Sequence, residues 1–334
     1  MTGFHYSEIS QKSNGGTEIS CRMLEETLPQ NLLENFQIIP SRVREIDDSK
    51  IRIFYAHDLP QDPEASHLKD SSSRDRFHKA VFVSSWQRDA YHNILNIPRT
   101  NWSTVISNPI VPFEKNKKKT ETIRIIYTST PQRGLGILVP VFQKLCEEFD
   151  NIELDVFSSF NIYGWDDPPE FNELLEVCKN SVKIKYHGFQ PNDVVRQALA
   201  NAHVFAYPSI WQETSCRALM EAMSAGCICI HPDLAALRET SGGLNLIYDY
   251  TDDMNEHASV FYSILYHTIL NINNKVYSFD ENQNTASKTY VDLRYNIKHV
   301  SGMWENLLQQ LLNKYPTVES RNIKKHFFNY NTSI

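Results

Sequence analysis

Two glutamates in one short stretch, Glu213 and Glu221, are the residues of this chain best suited to chemistry on a charged, hydroxyl-rich ligand. Glu213 precedes a helix-forming segment and Glu221 lies two turns inside it, so the carboxylates should be about 10–12 Å apart along the helix axis. The free N–H groups of the first helical turn lie between them and can bind an anion such as a diphosphate. The spacing therefore fits a sugar nucleotide. The alternative is an ordinary amphipathic helix with a solvated glutamate at each end.

The elements that position these glutamates follow from the surrounding residues. The apolar residues 204–207 predict a buried strand, which Pro208 ends. Thr214 or Ser215 supplies the hydroxyl that is typical of a helix N-cap, and Gly226 is a stop signal. The stretch is therefore predicted to run from a strand through a short loop into a helix.

Arg133 is a second candidate for anion binding. Residues 123–127 predict a strand, followed by a turn of small residues that includes Ser129 and Thr130, and then by a helix. The N-terminus of a helix repels a cation unless an anion lies between them. We therefore expect an anion to bind next to Arg133. The alternative is that Arg133 is a surface residue.

Two further signals lie in the first part of the chain. Gly15 and Gly16 open a helical pattern, and residues without a side chain allow backbone amides to approach a phosphate or sugar closely. A flexible turn before a helix would give the same sequence. His57 and Asp58 follow the strand predicted at residues 51–55, and functional residues of parallel sheets cluster at the carboxyl ends of strands. For this pair the alternative is a helix cap or a turn.

Strand-like and helical segments alternate through the chain. This alternation predicts an α/β fold with mostly parallel sheets covered by helices. The predicted strands are residues 36–39, 51–55, 80–83, 123–127, 152–157, 182–189, 204–207, 227–230 and 244–248. Ser85 is the predicted N-cap of the helix that follows residues 80–83, and Pro191 is the predicted first residue of another helix.

The last predicted helices cover residues 251–271 and 292–313. The second of them has an apolar face formed by Val300, Met303, Trp304, Leu307 and Leu311. Residues 114–120 are polar and charged without apolar periodicity, which indicates a linker between domains, although its lysines could instead contact a polyanionic acceptor. We expect one domain over residues 1–112, a second over residues 113–290, and a C-terminal helix with a loose tail over residues 291–334.

The composition of the 334-residue chain is that of a globular protein, with 41% hydrophobic and 22% charged residues. Its net charge of −7 implies no general affinity for nucleic acid or anionic membranes. No apolar run approaches the length of a membrane span and the N-terminus lacks the features of a signal peptide, so we expect a cytoplasmic protein. The six cysteines include no C-x-x-C pair and are predicted to be reduced core residues.

Taken together, these motifs resemble those of retaining glycosyltransferases with the GT-B fold, the group 1 or family 4 enzymes. The glycine pair, Arg133 with Gly134, residues 186–188, and the E-x7-E pair occur along the chain in that family's order. Many members have Gly-Phe-Gly at residues 214–216 and an arginine at the position of Thr128, so the diphosphate would depend more on Arg133 here. Several runs look most like enzymes carried by large tailed bacteriophages, in which case the protein would act in the host cytoplasm.

The resemblance implies two Rossmann-like, doubly wound domains that face each other across a cleft, with the C-terminal helix crossing back to the N-terminal domain. The N-terminal domain would serve the acceptor and the second domain would bind the donor nucleotide. Glu213 would face the donor sugar, Glu221 would hold the ribose hydroxyls, and His57 would contact the sugar from the opposite wall. The implied catalytic residues are Glu213, His57 and Arg133. The implied donor-binding residues are Gly15, Gly16, Ser129, Thr130, Arg133, Gly134, Tyr186, His187, Thr214, Ser215, Cys216 and Glu221.

The activity implied by this resemblance is transfer of a sugar, with retention at the anomeric carbon, from a nucleotide sugar to an acceptor hydroxyl. We expect a UDP-sugar as co-substrate and no cofactor. The sequence contains no D-x-D triplet, a common cradle for a divalent cation on the diphosphate, so we expect metal-independent transfer. Arg133 and helix N–H groups would then stabilise the leaving diphosphate.

The acceptor stays open between a 5-hydroxymethylpyrimidine in phage DNA and a surface glycan or lipid-linked sugar. The acidic balance of the chain counts against DNA, whereas the lysines of residues 115–119 with Arg42, Arg44 and Arg52 could form a local basic patch. A nucleotide-sugar epimerase and a non-catalytic sugar-nucleotide-binding protein are two other functions open to the same fold. Release of nucleotide only in the presence of acceptor would separate a transferase from both.

Overall fold

A computed structural model of the protein describes residues 3–4, 13–119, 121–277, 279 and 285–322. Within these ranges, ten strands form two separate parallel sheets, and helices cover both. The predicted α/β class, with two Rossmann-like domains, is confirmed. The domain boundaries after residues 112 and 290 stay predictions, and most of the predicted loose tail lies outside the described residues.

The N-terminal sheet is built from strands that are buried because helices cover both of its faces. Its strands are β1 (Phe36–Pro40), β2 (Ile51–Ala56), β3 (Lys79–Phe82) and β4 (Ser103–Val105), paired in that order. Every position of β1 and β2 is buried. Phe4 adds an isolated parallel bridge to Ile38 of β1. The helices of this part of the chain are α1 (Gly16–Thr27), α2 (Gln30–Leu33), α3 (Ser71–Arg74) and α4 (Ser85–Ile94).

The C-terminal sheet has a strand order that reverses in its middle. Its strands are β5 (Ile123–Tyr127), β6 (Ile152–Val156), β7 (Ile184–Tyr186), β8 (Val204–Ala206), β9 (Ile228–Asp233) and β10 (Leu246–Asp249). They pair in the order β10-β9-β8-β5-β6-β7, so the direction of winding changes between β5 and β8. The loops that follow these two strands leave the sheet side by side, and such a switch point is where doubly wound sheets bind ligands.

The remaining helices pack mainly against the C-terminal sheet. They are α5 (Leu135–Leu145), α6 (Asn172–Asn180), α7 (Asn192–Asn201), α8 (Arg217–Ser224), α9 (Leu237–Ser241), α10 (Met254–Asn273), α11 (Ala286–Arg294), α12 (Ile297–Lys314) and α13 (Val318–Arg321). The exceptions are α12 and α13, which return to the N-terminal domain; Arg321 of α13 donates to Ser49 O and to Asn35 Oδ1. The fully buried Trp304 of α12 lies 4.9 Å from the ring of Tyr55 in β2 and 6.3 Å from that of Phe4. The predicted crossing of the C-terminal helix is therefore confirmed, although Met303 does not share its buried face and is 38% exposed.

One helix predicted over residues 292–313 is in fact two, α11 and α12. Ile110 N donates to Tyr295 O at 2.8 Å, and Ile297 N donates to Ile110 O at 2.9 Å. These bonds form a parallel bridge between Ile110 and Asn296, whose ψ of 130° lies outside the helical range, so one continuous helix cannot form. The segment around Ile110, which leads into the C-terminal domain, thus pairs with the segment around Asn296, which leads out of it.

Two predicted helix starts are displaced by one residue. Ser84, rather than Ser85, caps α4, because its Oγ accepts from Gln87 N at 3.0 Å. Pro191 is the N-cap of α7 instead of its first residue.

The predicted linker is not wholly solvated. Lys118 is buried, its Nζ donates to Ala202 O and lies 3.7 Å from Cys227 Sγ, and it sits 6.0 Å from the centre of the Phe279 ring. Burying this charge next to a backbone carbonyl fixes the linker to the C-terminal domain. This lysine is therefore not available to a polyanionic acceptor.

The six cysteines are all free, and every one except Cys146 is buried. No helix in the described ranges is both long enough and apolar enough to span a membrane. The cytoplasmic location expected from the sequence stays a prediction.

Buried histidines make the fold sensitive to mild acid. Burial lowers the pKa of His57 to about 3 and the pKa values of His78, His203 and His231 to about 4, from an ordinary value of 6.5. These imidazoles are neutral in the folded protein and bind protons on unfolding, so their stabilisation is complete above pH 6.5 and is lost as the pH falls toward 4. We expect the free energy of unfolding, measured by urea denaturation, to fall between pH 7 and pH 5. His231→Asn should make this slope shallower, whereas substitution of the exposed His299 should not. Equal slopes in both variants would contradict the assignment.

Candidate active site

A cavity of about 820 Å³ lies between the carboxyl ends of the two sheets. The loops that follow β1 and β2 form one wall, which includes Ser41 and His57. The loops that follow β5 and β8 form the other wall, which includes Ser129 and Glu213. The switch point of the C-terminal sheet therefore opens directly into an interdomain cleft.

Glu213 lies in the C-terminal wall, and its carboxylate is engaged by two donors. Arg133 Nη1 donates to Glu213 Oε1 at 2.7 Å, and Tyr207 OH donates to the same oxygen at 2.6 Å. Arg133 Nη2 donates to Tyr163 OH at 3.2 Å, and its guanidinium lies 5.7 Å from the centre of the Trp211 ring. The Glu213 side chain is 8% exposed and that of Arg133 is 23% exposed. The guanidinium therefore keeps a face toward the cavity.

The surroundings of Arg133 and Tyr207 fix the protonation state of each side chain. Burial acts to lower the pKa of Arg133, but the Glu213 carboxylate, Tyr163 and Tyr207 raise that pKa well above its ordinary value. Burial and then Glu213 raise the pKa of Tyr207 well above its ordinary value. The arginine therefore stays charged and the phenol stays protonated. Within the described ranges the buried Nε of Arg133 has no hydrogen-bond partner, which is unusual for a guanidinium donor.

The loop that follows β5 carries further hydroxyl groups into the site. Ser129, Thr130 and Arg133 all line the cavity, and Ser129 Oγ lies 3.4 Å from Tyr207 OH. Thr128 Oγ1 and Thr130 Oγ1 are buried, and neither has a partner in the described part of the chain. Unsatisfied polar atoms concentrated in one cavity-facing loop indicate a ligand that accepts or donates hydrogen bonds there.

The start of α8 differs from the prediction. Its N-cap is Cys216, not Thr214 or Ser215, and no side chain caps it. Thr214 Oγ1 is directed across the cleft instead and donates to His57 O at 2.8 Å. These three residues line the cavity together with Arg217, the first residue of the helix. The N–H groups of the first turn of α8 thus lack a capping side chain at the edge of the site, where an anion could accept from them.

Glu221 lines the cavity from within α8 and is 5% exposed. Its Oε1 accepts from Arg217 Nη2 at 3.1 Å and lies 3.4 Å from Arg196 Nη1. Burial lowers the pKa of Arg217, an effect that Glu221 opposes. The two guanidinium groups fix the orientation of the carboxylate.

The glycine pair lies at one of the contacts between the two domains. Gly15 is the N-cap of α1, and Gly16 is its first residue. A Cβ on Gly15 would lie 2.9 Å from Cε1 of Tyr163, and the neighbouring Asn14 N donates to Ile162 O at 2.8 Å. The absence of a side chain at Gly15 therefore lets the start of α1 reach the loop that holds Tyr163.

His57 faces the cavity from the opposite wall and is 8% exposed. Its ring lies 4.2 Å from that of Tyr55, and within the described ranges its Nε2 has no partner. Burial lowers its pKa to about 3, so the imidazole is neutral. It can exchange a hydrogen bond with a ligand, but it cannot supply positive charge.

Gly134, Tyr186 and His187 do not line the cavity. Gly134 packs against the backbone of Pro208, outside the cavity lining. Tyr186 OH donates to Ser158 O at 2.8 Å, and His187 Nε2 lies 2.8 Å from Asp155 Oδ1. The loop directly after His187 does line the cavity, so these two residues could position that loop. Their roles in donor binding stay predictions.

Sequence reasoning missed the aromatic residues around Arg133. Tyr163, Trp165, Tyr207 and Trp211 all line the cavity. Each lies in a loop after a strand of the C-terminal sheet, which is the signal that could have found them.

Two of the three arginines in the basic patch predicted as a possible DNA contact are engaged within the protein, whereas Lys115, Lys117 and Lys119 stay exposed and the DNA contact stays a prediction. Arg52 is 2% exposed, and its Nε donates to Arg76 O at 2.6 Å. Arg44 is paired with Glu64 at 2.7 Å. Of the three predicted arginines, only Arg42 lines the cavity.

The family and sequence comparisons identify one domain. Residues 109–241 match the family model described as Glycosyl transferases group 1. No curated protein matches the chain significantly by sequence. The matched segment contains β5 to β9 and both members of the Arg133–Glu213 pair.

Solved structures resemble almost the whole chain. Anabaena HepE, in complex with UDP and glucose, has a TM-score of 0.59 and 14% identity over 92% of this chain and 84% of its own. The pneumococcal O-GlcNAc transferase GtfA, in complex with UDP and GlcNAc, has a TM-score of 0.59 and 13% identity over 88% of this chain and 60% of its own. Trehalose-6-phosphate synthase, studied for glycosyl transfer with retention, has a TM-score of 0.56 and 11% identity over 78% of this chain and 68% of its own.

The domain match and the fold together show a glycosyltransferase. At these identities the solved structures establish its GT-B fold and nothing finer. In this glycosyltransferase the cleft between the two domains holds the predicted catalytic residues Glu213, Arg133 and His57.

Proposed function

We propose that this glycosyltransferase moves a sugar from a UDP-sugar to an acceptor hydroxyl, with retention at the anomeric carbon and without a metal ion. The observation that carries the proposal is the Arg133–Glu213 pair, which lies in the interdomain cleft beside the N-terminus of α8. The order of the motifs supports a family 4 enzyme of the phage-borne type. We also propose that the domains divide at residues 112 and 290.

The donor would lie along the C-terminal wall of the cleft. Its diphosphate would meet Arg133 and the first-turn N–H groups of α8, which supply positive charge and hydrogen-bond donors. Glu221, held by two arginines, would accept hydrogen bonds from the ribose. UDP is favoured as the nucleotide because HepE and GtfA both bind it.

The leaving group would be stabilised by the same groups. As the bond between the anomeric carbon and the phosphate oxygen breaks, negative charge develops on the diphosphate next to Arg133 and the N–H groups of α8. The acceptor oxygen would then bond to the anomeric carbon on the same face, and its proton would pass to the departing phosphate oxygen. This route retains the anomeric configuration, as studied for trehalose-6-phosphate synthase.

Glu213 and His57 would position the sugar. A diphosphate at Arg133 competes with Glu213 for the guanidinium, which frees the Glu213 carboxylate to accept hydrogen bonds from the sugar hydroxyls. The neutral imidazole of His57 would contact the sugar from the N-terminal wall.

The proposal predicts acceptor-dependent release of UDP. We expect incubation with a panel of nucleotide sugars and acceptors to give UDP and a glycosylated acceptor, detected by mass spectrometry. NMR should show that the transferred sugar has the same anomeric configuration as in the donor. Activity should be full in excess EDTA. Glu213→Gln should lower kcat by about 10²-fold or more, since the carboxylate is asked to act in the transition state. The exposed Glu176→Gln is the matched control.

Other outcomes would assign the alternatives. Conversion of the donor sugar without acceptor would indicate an epimerase. Donor binding without turnover would indicate a binding protein. Transfer to hydroxymethylated DNA, and not to oligosaccharides, would assign the DNA acceptor that the sequence leaves open.

A further inference from the structure

We infer that the acceptor is an uncharged sugar, which binds at the mouth of the cleft between an aromatic platform (Tyr163, Trp165 and Trp211) and an acidic wall (Glu18, Asp58 and Asp62). This inference rests on the proposed transferase function and names its acceptor class.

The aromatic platform is exposed inside the cavity. Trp165 is 59% exposed and Trp211 is 41% exposed, although both line the cleft. The rings of Tyr163 and Trp165 are 5.5 Å apart, and Arg133 lies between Tyr163 and Trp211, bonded to the first and 5.7 Å from the ring centre of the second. Large ring faces left open to water beside the reaction centre suit the apolar C–H face of a sugar ring, while the ring edges suit its hydroxyls.

The acidic wall faces the platform from the N-terminal domain. Glu18, Asp58 and Asp62 line the same cavity, with Arg42 as the cation beside them. Burial raises the pKa of Asp58, and so do Asp62 and then Glu18, so each of these two carboxylates lies close enough to Asp58 to repel it. Carboxylates accept hydrogen bonds from hydroxyl groups, and they repel phosphate groups. A donor diphosphate adds further negative charge to this cleft, which disfavours DNA and phosphorylated sugars as acceptors.

His57, proposed above to contact the donor sugar, marks the place on this wall where the acceptor must approach that sugar. It is more than nine-tenths buried, it lines the cavity next to Asp58, and its Nε2 has no partner in the described part of the chain. A buried ring nitrogen that the protein leaves unpaired can exchange a hydrogen bond with a ligand group in the cavity.

The test compares neutral and phosphorylated acceptors with the donor identified by the panel above. We expect kcat/KM for neutral oligosaccharides to exceed that for the same sugars as 6-phosphates, and for hydroxymethylated DNA, by at least about 10-fold. Trp165→Ala and Trp211→Ala should each raise the acceptor KM about 10-fold at an unchanged melting temperature, and UDP binding should stay unchanged in Trp165→Ala. The exposed Val182→Ala is the control. The inference would be overturned if phosphorylated or DNA acceptors were used as well as neutral sugars, or if no neutral sugar accepted the transfer. An unchanged acceptor KM in the tryptophan variants would also overturn it. Absence of UDP formation with every donor would instead defeat the transferase proposal itself.

Glu239 carries a second inference, on how the cleft closes. Its carboxylate accepts from Ser85 N and Trp86 N, both at 2.8 Å, and so binds the N-terminus of α4 across the domain boundary. A carboxylate at this end of a helix is held by two N–H groups and by the helix dipole. The contact joins α9 of one domain to α4 of the other.

The same helix reaches the reaction centre. Ala236 N, directly before α9, donates to Glu213 O at 3.0 Å. Tyr290 OH, in α11, donates to the carbonyl of Glu239 at 3.2 Å and so holds α9 against α11. We propose that Glu239 is a positioning residue, which transmits closure of the two domains to the loop that carries Glu213.

Kinetics and solution scattering together test this role. Glu239→Ala should lower kcat about 10-fold and increase the radius of gyration, because the closed state loses population, while UDP binding to the C-terminal domain is retained. The exposed Glu176→Ala should change neither quantity, and Glu239→Asp should recover part of the loss. A Glu239→Ala variant with normal kcat, or one whose lost activity follows only a lower melting temperature at unchanged radius of gyration, would overturn the proposal.

Discussion

Arg133→Ala is expected to lower kcat by about 10²- to 10³-fold, the loss seen when one preorganised donor to a developing negative charge is removed. Arg133 is the guanidinium in the cleft that combines an exposed face with a position beside α8. Steady-state release of UDP measures the effect. Arg133→Lys should recover only part of the activity, because an ammonium replaces a planar group that holds Glu213 and the ligand together.

The control for this prediction is Arg99→Ala, which removes an exposed arginine that is paired with Asp89 and does not line the cleft. It should change kcat by less than about 2-fold. Thermal melts of all three variants should show folded protein, so that activity can be compared directly. An Arg133→Ala enzyme with normal kcat would remove the basis for a metal-independent mechanism.

Gly134→Ala should destabilise the protein by about 3–5 kcal/mol, which is exceptional for one methyl group. Gly134 has a φ of +123°, which L side chains rarely adopt, and a Cβ there would lie 2.1 Å from Pro208 O. The loop after β5 and the loop after β8 could then no longer pack together. Since these loops carry Arg133 and Glu213, activity should fall with stability.

A matched Gly→Ala substitution inside a helix should change the free energy of unfolding in the opposite direction. Gly302 lies inside α12, and a Cβ there meets nothing within 4 Å. Gly302→Ala should therefore stabilise the protein by about 0.5–1 kcal/mol. Urea denaturation compares the two variants, and a Gly134→Ala protein as stable as the natural one would show that the two loops do not need this close approach.

Much of the fold was predictable because its signals are local. Runs such as residues 36–39 and 51–55 become β1 and β2 with nearly the predicted bounds. Alternation of strands and helices requires parallel pairing, and parallel pairing brings the strand ends to one edge. This is why Arg133 and Glu213, which follow β5 and β8, could be placed at one edge of a sheet; the position of His57 on the facing wall was implied by the family resemblance.

The features that the sequence did not predict depend on contacts between distant residues. The break between α11 and α12 is imposed by Ile110, which lies far away in the chain. Thr214 does not cap α8 because His57 O, in the other domain, takes its hydroxyl. Tyr207 reads as the end of a buried strand, and only the fold shows its phenol on Glu213. Arg52 reads as a surface cation and is buried by the same kind of distant contact.

A crystal structure of the protein with UDP tests the central claim most directly, since that claim is a diphosphate held between Arg133 and the start of α8. We predict phosphate oxygens within hydrogen-bonding distance of the Arg133 guanidinium and of the first-turn N–H groups of α8, with the ribose at Glu221 and the Arg133–Glu213 contact longer than the present 2.7 Å. UDP bound outside this cleft, or bound in it with the Arg133–Glu213 pair intact and no phosphate at Arg133, would contradict the account.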